Sequence, residues 1–426
     1  MKYYCTPNKK DLKHAAADEQ SVILYERTNK KRIGSVGAAV KEELLTRKLS
    51  PINRAWDLLS IALSVIAADH GSTRIQSSDG WARQLDLKIA VAEPEFWSSQ
   101  KDLIERQLRF LTTDMWNLGF MEGGFVPSEE QKSERSEEDS VLLLSGGLDS
   151  LIGALDIASN KSRPYAVSQV VLGDAPKQSA FASQIGKGLS HIQLNHNVRM
   201  PLEEPALSDR ARSIIFLAYG VIVATALKAY NEGKNIPLYV CENGFISINP
   251  PLTGTRLGSL STRTANPYFL KMFQELLVAA KLHINILTPY QFSTKGEMLR
   301  SCSNQEYLKK NAHIATSCGR YRRMGFQHCG RCVPCLIRRA AFQKWGFKDQ
   351  TEYKFAKLSK NDKDHALFDD VRSAAMAVAE VRSVGLDQWI GASLNSALLG
   401  DVSSYKNVVQ RGIEELGEFL DAMGVR

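Results

Sequence analysis

The sequence predicts an α/β fold in which a parallel sheet is covered by helices on both faces. Three observations carry that expectation. Beyond residue 140, short and fully apolar strands alternate with helical stretches. The first of those strands runs straight into a glycine-rich turn, and a long apolar segment from Ser213 to Tyr230 reads as a buried helix.

Residues 1–127 read as an N-terminal α+β domain for accessory or partner-binding work. Ser21 to Arg27 has strand character. Ile52 to Ala68 repeats apolar residues at helical spacing (Trp56, Leu59, Ile61, Leu63, Ile66), and Leu85 to Val91 alternates as a strand. A helix is expected from about Phe96 to Leu118. The Asp and His residues of this region are scattered and form no catalytic constellation. Residues 128–139 are charged and lack large apolar side chains, so they read as a solvated linker.

Residues 140–346 form the main sheet domain. Its expected strands are Val141 to Leu144, Tyr165 to Leu172, Pro237 to Cys241 and His283 to Leu287, with helices at Leu151 to Ala158 and Ser213 to Tyr230. The tail, 347–426, reads as helical throughout, its last helix capped by Ser403 or Ser404 and stopped at Gly424.

A chain of 426 residues has room for two or three domains. No apolar run is long enough to span a bilayer, and the polar start lacks the apolar stretch of a secretion signal, so a cytoplasmic protein with no membrane partner is expected. The net charge of +8 suits contact with nucleotide phosphates or nucleic acid, and equally a well-solvated basic surface. Nucleic acid is not the favoured partner.

The strand–turn–helix at Ser145-Gly146-Gly147-Leu148-Asp149-Ser150 points to phosphate binding. The two glycines let backbone N–H groups close on an anion, the N-terminus of the following helix adds its dipole, and Ser145 and Ser150 offer hydroxyls at the rims. The turn lacks the Gly-Lys-Ser/Thr of a Walker loop. Its bland alternative is an ordinary serine-capped turn.

Four of the seven cysteines, Cys318, Cys329, Cys332 and Cys335, crowd into one short stretch. Their spacing suits a metal in a reducing compartment better than a disulfide framework. Four thiolates fit closed tetrahedral Zn2+, with an iron–sulfur cluster as the competing occupant. His328 stands by as a substitute ligand. Arg320, Arg322, Arg323, Arg331, Arg338 and Arg339 would offset the thiolate charge or face a phosphate or carboxylate. Cys5, Cys241 and Cys302 read as small apolar residues.

The Ser-Gly-Gly-x-Asp-Ser pattern resembles that of the pyrophosphate-loop (PP-loop) ATP pyrophosphatases, whose loop follows the first strand of a Rossmann-like (HUP) sheet. That resemblance implies cleavage of ATP between its α- and β-phosphates, with Asp149 positioning the phosphates through Mg2+. The loop together with the downstream cysteines resembles the 7-cyano-7-deazaguanine synthases, the QueC family, which activate 7-carboxy-7-deazaguanine with ATP. Arg212-Ser213-Ile214-Ile215-Phe216-Leu217 resembles that family's central-helix start, and Ser293-Thr294-Lys295-Gly296-Glu297-Met298 its lysine-bearing helix start. The likeness covers roughly residues 140 to 345.

Two stretches depart from the family. Gly173-Asp174-Ala175-Pro176-Lys177-Gln178 stands where Asp-Tyr-Gly-Gln is usual. Glu242-Asn243-Gly244-Phe245, running on to Ser261-Thr262-Arg263-Thr264-Ala265-Asn266-Pro267, replaces the base-binding stretch. With the extra domains, this pattern resembles the QueC-like QatC components of the Qat anti-phage defence systems. Such relatives suit transfer of a deazapurine-type carboxylate to an amine of a protein partner, such as its N-terminus, in the manner of an ATP-dependent ligase. The site expected on these grounds uses Asp149, Lys295 and Arg212 for catalysis, residues 145–150 for ATP, and Glu242, Asn243, Arg256, Thr262, Arg263 and Thr264 for substrate. Arg263 would pair with a carboxylate, and Glu242 would accept from a purine-like edge.

Three other functions compete: a nitrile synthase using ammonia, a tRNA-modifying enzyme that installs sulfur, and a non-catalytic ATP-binding adaptor. The tRNA reading needs a catalytic cysteine pair outside the metal site. Cys241 and Cys302 share no short motif.

Overall fold

A computed structural model describes residues 1–74, 77, 80–127, 136–160, 162–201, 210–252, 263–358, 368–394 and 400–425. Two five-stranded sheets organise the chain. The first is built from β1 (Lys2–Thr6), β2 (Glu19–Leu24), β3 (Gly34–Val36), β4 (Gln84–Ala90) and β5 (Met115–Met121), in the order β3-β2-β1-β4-β5. All its pairings are parallel, with Tyr4 opposite Ser21 and Lys88. The helices between these strands are α1 (Ala38–Thr46), α2 (Asn53–His70), α3 (Pro94–Ser99) and α4 (Lys101–Thr112). The N-terminal α+β expectation thus takes the form of a second parallel α/β layer. The buried face of α2 includes Trp56, Leu59, Leu63 and Ile66, the apolar residues of the helical repeat.

The second sheet comprises β6 (Ser140–Leu143), β7 (Pro164–Gln169), β8 (His191–Leu194), β9 (Ile236–Tyr239) and β10 (Ile284–Leu287), ordered β10-β9-β6-β7-β8. Interleaved with them are α5 (Leu148–Ser159), α6 (Ala175–Gln184), α7 (Arg212–Ala226), α8 (Lys228–Asn231), α9 (Gly244–Ile248) and α10 (Pro267–Ala279). Then follow α11 (Lys295–Ser301), α12 (Gln305–Asn311), α13 (Val333–Trp345), α14 (Phe368–Val384), α15 (Leu386–Leu394) and α16 (Val402–Ala422). This order is Rossmann-like, reversing direction beside the first strand of the set.

By internal packing the chain forms two compact units. One contains Met1–Leu142, Ile192–Leu238 and Phe269–Ile286; the other contains Leu143–His191, Tyr239–Tyr268 and Leu287–Arg426. In the second unit, Phe245 and Ile248 share a core with Leu336 and Ile337 of α13, Val378 of α14, and Val409, Ile413 and Leu416 of α16. Among the described residues, no helix is long and apolar enough to cross a membrane.

Several local expectations are corrected. The helix read from Phe96 to Leu118 breaks at Gln100 and ends at Thr112, and Met115–Met121 is instead a strand with Trp116 and Leu118 buried. Its alternating apolar residues also satisfy a helical count over so short a run. The long helix ends at Ala226 rather than Tyr230. The tail is not helical throughout: Lys354 and Phe355 donate backbone bonds to His328 and Cys329 at 2.9 and 3.1 Å, covering the cysteine cluster. Asp401, not Ser403 or Ser404, caps α16, accepting from the Ser404 N–H at 3.0 Å. Of the charged run, residues 128–135 lie outside the described residues. At its end, Ser136 accepts from the Lys228 N–H at 2.9 Å.

Candidate active site and metal centre

β6 is apolar because it lies inside its sheet, and the chain leaving it must turn at once to start α5. Gly146 makes that turn at φ +85°, and a Cβ there would press to 3.3 Å from Asp174 and Gln178, so a side chain at this position would be strained. Gly147 caps α5. The Ser145 hydroxyl accepts from the Gly147 N–H at 3.2 Å and lies 3.1 Å from the Ser150 hydroxyl, which donates to Gly147 O at 2.9 Å. The two serines thus brace the loop from within. Leu148 is buried beneath it.

Asp149 projects from the first turn of α5 into a buried polar cluster. Lys295, the first residue of α11, donates to one carboxylate oxygen. Asn243 donates to the other from its side-chain amide at 2.6 Å and its backbone at 3.3 Å. Burial opposes ionisation of Asp149, but the Lys295 charge and hydrogen bonds from Glu242, Lys295 and Asn243 outweigh it and hold the carboxyl below its ordinary range. Glu242 goes the other way. Burial, then the Asp149 charge, push its carboxyl well above the usual range.

Local chemistry sets each of these positions. Thr294 caps α11 in a complete capping box: its hydroxyl accepts from the Glu297 N–H at 3.1 Å, and Glu297 accepts from the Thr294 N–H at 2.9 Å. Asn243 caps α9 through Oδ1, which accepts from Ile246 N at 3.0 Å, leaving Nδ2 for Asp149. Both ends of its amide are engaged, which makes Asn243 a brace of Asp149.

A further group borders the loop and was not foreseen. The Thr316 N–H donates to Gly146 O at 3.0 Å. Its hydroxyl donates to Asp174 at 2.6 Å and accepts from Lys177 at 2.6 Å, while Lys177 also reaches the Tyr321 hydroxyl at 2.9 Å. Gln178 donates to Ser145 O at 3.0 Å. Asp174, Lys177 and Gln178 occupy the stretch where the sequence departs from the QueC pattern, and that departure was the available signal.

The other residues expected from the sequence stand elsewhere in the chain. Arg212 is exposed at the start of α7 and belongs to the other compact unit. Arg263 is half-buried in the single turn Arg263–Ala265. Arg256, Thr262 and the side chain of Thr264 lie outside the described residues.

Cys318, Cys329, Cys332 and Cys335 are buried, with all four sulfurs within 4.8 Å of one another. Their sulfur separations of 3.8 Å (Cys318–Cys332) and 3.9 Å (Cys329–Cys335) match the edge of about 3.8 Å expected of a tetrahedron with Zn–S bonds of about 2.3 Å. The group can hold one zinc ion, and the space is too small for a multi-iron cluster. Backbone N–H groups of Arg320, Cys329 and Cys332 point at the sulfurs at 3.2 to 3.4 Å.

His328 is not a ligand: its Nε2 accepts from Ser317 N at 3.2 Å. Burial, then the charges of Arg338 and Lys177, hold its imidazole neutral, down to about 3. Three of the nearby arginines are tied to protein groups, while Arg322 and Arg323 are exposed. Arg338 donates to the carbonyls of Ala312 and Ala315 at 2.6 and 2.9 Å, Arg339 to those of Gly330 and Ala356, and Arg320 to Asp370. Since Cys318 follows Thr316 by two residues, the cysteine site also fixes the segment that borders the loop.

Comparison with known proteins agrees with this geometry. Residues 264–346 match the family described as Queuosine biosynthesis protein QueC. The 7-cyano-7-deazaguanine synthase of Methanococcus aeolicus is 26% identical over 50% of this chain and 98% of its own length. Those of Acetivibrio thermocellus and Sinorhizobium fredii are 26% and 23% identical, each over 50% of this chain and 97% and 91% of their own. Half of the chain is thus similar to nearly whole 7-cyano-7-deazaguanine synthases, and its cysteine-bearing segment carries the QueC match.

Proposed function

We propose that this chain is a QueC-like ATP pyrophosphatase that adenylates a 7-carboxy-7-deazaguanine-type carboxylate. The observation that carries the reading is the buried Asp149–Lys295–Asn243 cluster set immediately behind the Ser145–Ser150 cradle. A carboxylate oxygen attacks the α-phosphorus of ATP, the bond to the β-phosphate oxygen breaks, and pyrophosphate leaves from the loop. An amine then attacks the acyl carbon and AMP departs with the electron pair of the acyl–oxygen bond.

The residues supply orientation and charge. Backbone N–H groups and the serine hydroxyls cradle the departing phosphates, and Lys295 offers the cation that meets their charge. Magnesium arriving with ATP would neutralise phosphate charge, and Asp149, whose carboxyl is held below its ordinary range, is the residue that would meet it. A zinc ion in the cysteine site is structural, since four thiolates leave no open position.

The acceptor we favour is an amine of a protein partner in anti-phage defence. Support comes from the altered Gly173–Gln178 stretch and from large regions outside the QueC match. The domain roles expected from the sequence, an N-terminal partner-binding region and a C-terminal helical extension, belong to this reading. The test incubates the protein with ATP, magnesium and 7-carboxy-7-deazaguanine and follows AMP and pyrophosphate. Mass spectrometry of co-expressed proteins then looks for a deazaguanine adduct. Release of ADP would overturn adenylation. Free nitrile formed from ammonia, with no protein adduct, would overturn the protein acceptor.

A further inference from the structure

We propose that the C-terminal helix α16 is a working part of the ATP site, with Glu415 and Arg411 holding the cap of α11 and thereby setting Lys295 on Asp149. This rests on the loop's being an ATP site, as read above.

Lys295 opens α11, so its backbone goes where the capping residue Thr294 goes. Within the capping box Thr294 uses its oxygen as an acceptor, which leaves the hydroxyl proton to be placed. That proton goes to Glu415 of α16, at 2.5 Å. The other half of the box is gripped by the same helix. Arg411 donates to Glu297 at 2.6 Å and to the Phe292 carbonyl at 2.7 Å. Arg411 and Glu415 are four residues apart and lie on one face of α16. One helical face therefore holds both members of the cap that carries the lysine.

The closeness of the approach argues that it is built for this. A Cβ on Gly296, next to Lys295, would fall 2.8 Å from both Glu415 carboxylate oxygens. A Cβ on Gly412 of α16 would fall 2.4 Å from the Phe245 ring, two residues beyond Asn243. The same helix thus backs the segment bearing Lys295 and the segment bearing Asn243, the two direct braces of Asp149.

Glu415 is 6% exposed, and its surroundings are the Thr294 hydroxyl, the Gly296 N–H, Glu297 and Lys344 of α13. A buried carboxyl is a costly way to fill space that an apolar side chain could pack. The QueC match ends at residue 346, before this helix begins.

The test is calorimetric titration of the full chain with ATP and magnesium, with a thermal melt of every variant. Glu415→Gln and Thr294→Val should each weaken ATP about 10-fold, and Thr294→Ser, which keeps the hydroxyl, should stay within about twofold. Lys406→Ala, elsewhere on α16, should bind as the parent does. Lys295→Met should weaken ATP most, and adding Glu415→Gln to it should cost less than about twofold more, because the positioned group is already gone.

A Glu415→Gln protein that melts earlier yet binds ATP normally would overturn the inference, as would a full additive loss in the Lys295→Met background. If Lys295→Met does not fold, the contrast between Thr294→Val and Thr294→Ser decides: equal affinities overturn it. If Lys295→Met folds and binds ATP unchanged, the loop reading itself falls, which separates the two failures.

Discussion

The two sheets share one strand order, yet the chain leaves the first strand of each differently. In the first, β1 leads into Thr6-Pro7-Asn8 and a short 3-10 turn, Lys9–His14, before β2. In the second, β6 leads through two glycines into α5, whose N-terminus faces the turn. The buried charges differ in the same sense. In the first unit Arg83 donates to Asp114 at 2.6 Å, to Asp69, and to the carbonyls of Asp69 and Ser72 at 2.9 Å, while Arg74 closes on Asp114 at 2.7 and 3.0 Å. That network ties α2, β4 and the start of β5 together. In the second unit Asp149 meets Lys295 and Asn243 directly behind the loop, beside Glu242, whose carboxyl is pushed up by burial and the Asp149 charge. Strand order provides a scaffold; the turn after the first strand, and charges held beside it, make a site.

The comparison breaks most sharply at Asp149. Asp149→Asn keeps the shape and an acceptor for Asn243 but removes the charge facing Lys295. Formation of AMP and pyrophosphate should fall by about 10³-fold. Activity within tenfold of the parent, in a protein that melts normally, would put the chemistry elsewhere.

The next effect falls on the other sheet. Arg83→Met leaves Asp69 and Asp114 buried without their shared cation and should cost about 3–5 kcal/mol of stability, measured by urea unfolding. ATP affinity per folded molecule should stay as it was. A matching loss of ATP affinity would mean that the first unit's network serves the site as well as its own fold.

What could be read from sequence follows the distance over which each feature is encoded. The cradle was legible because strand, turn and helix start are contiguous, and the cysteines because ligand spacing is local. Lys295 was read only through the resemblance of Ser293–Met298 to a family helix start, and the capping box that sets it is a finding of the structure. Lys177, Asp174 and Thr316 were not foreseen as a group. Thr316 reaches the loop through an isolated strand-like bridge to Gly147, a contact that no local pattern announces. Asn243 was read as a substrate contact, whereas the fold spends both ends of its amide on α9 and Asp149. β1 was missed because its five residues, KYYCT, show no apolar alternation, yet Tyr3, Tyr4 and Cys5 are buried between β2 and β4. The partner that hides such a strand is supplied by the rest of the sheet.

The smallest predicted effect separates the two units by the sign of their response to pH. Burial disfavours the Asp114 charge, but Arg83 and Arg74 outweigh it and hold the carboxyl below its ordinary range. Its contribution is complete above the unfolded value of 3.8 and is lost as pH falls through the lower folded value. Glu415 responds in the opposite direction. Burial, reinforced by the charge of Glu297 and only partly offset by Thr294, Lys344 and the Gly296 N–H, pushes it up to about 7 from 4.5. Between those values the folded protein keeps a proton that the unfolded chain has released. Its contribution is therefore fully present below about 4.5 and is lost as pH rises through about 7, by at most about 3 kcal/mol. Urea unfolding of the parent and Glu415→Gln between pH 5 and 8 measures this. The parent should lose stability relative to the variant as pH rises, and parallel curves would show that Glu415 keeps an ordinary carboxyl despite its burial.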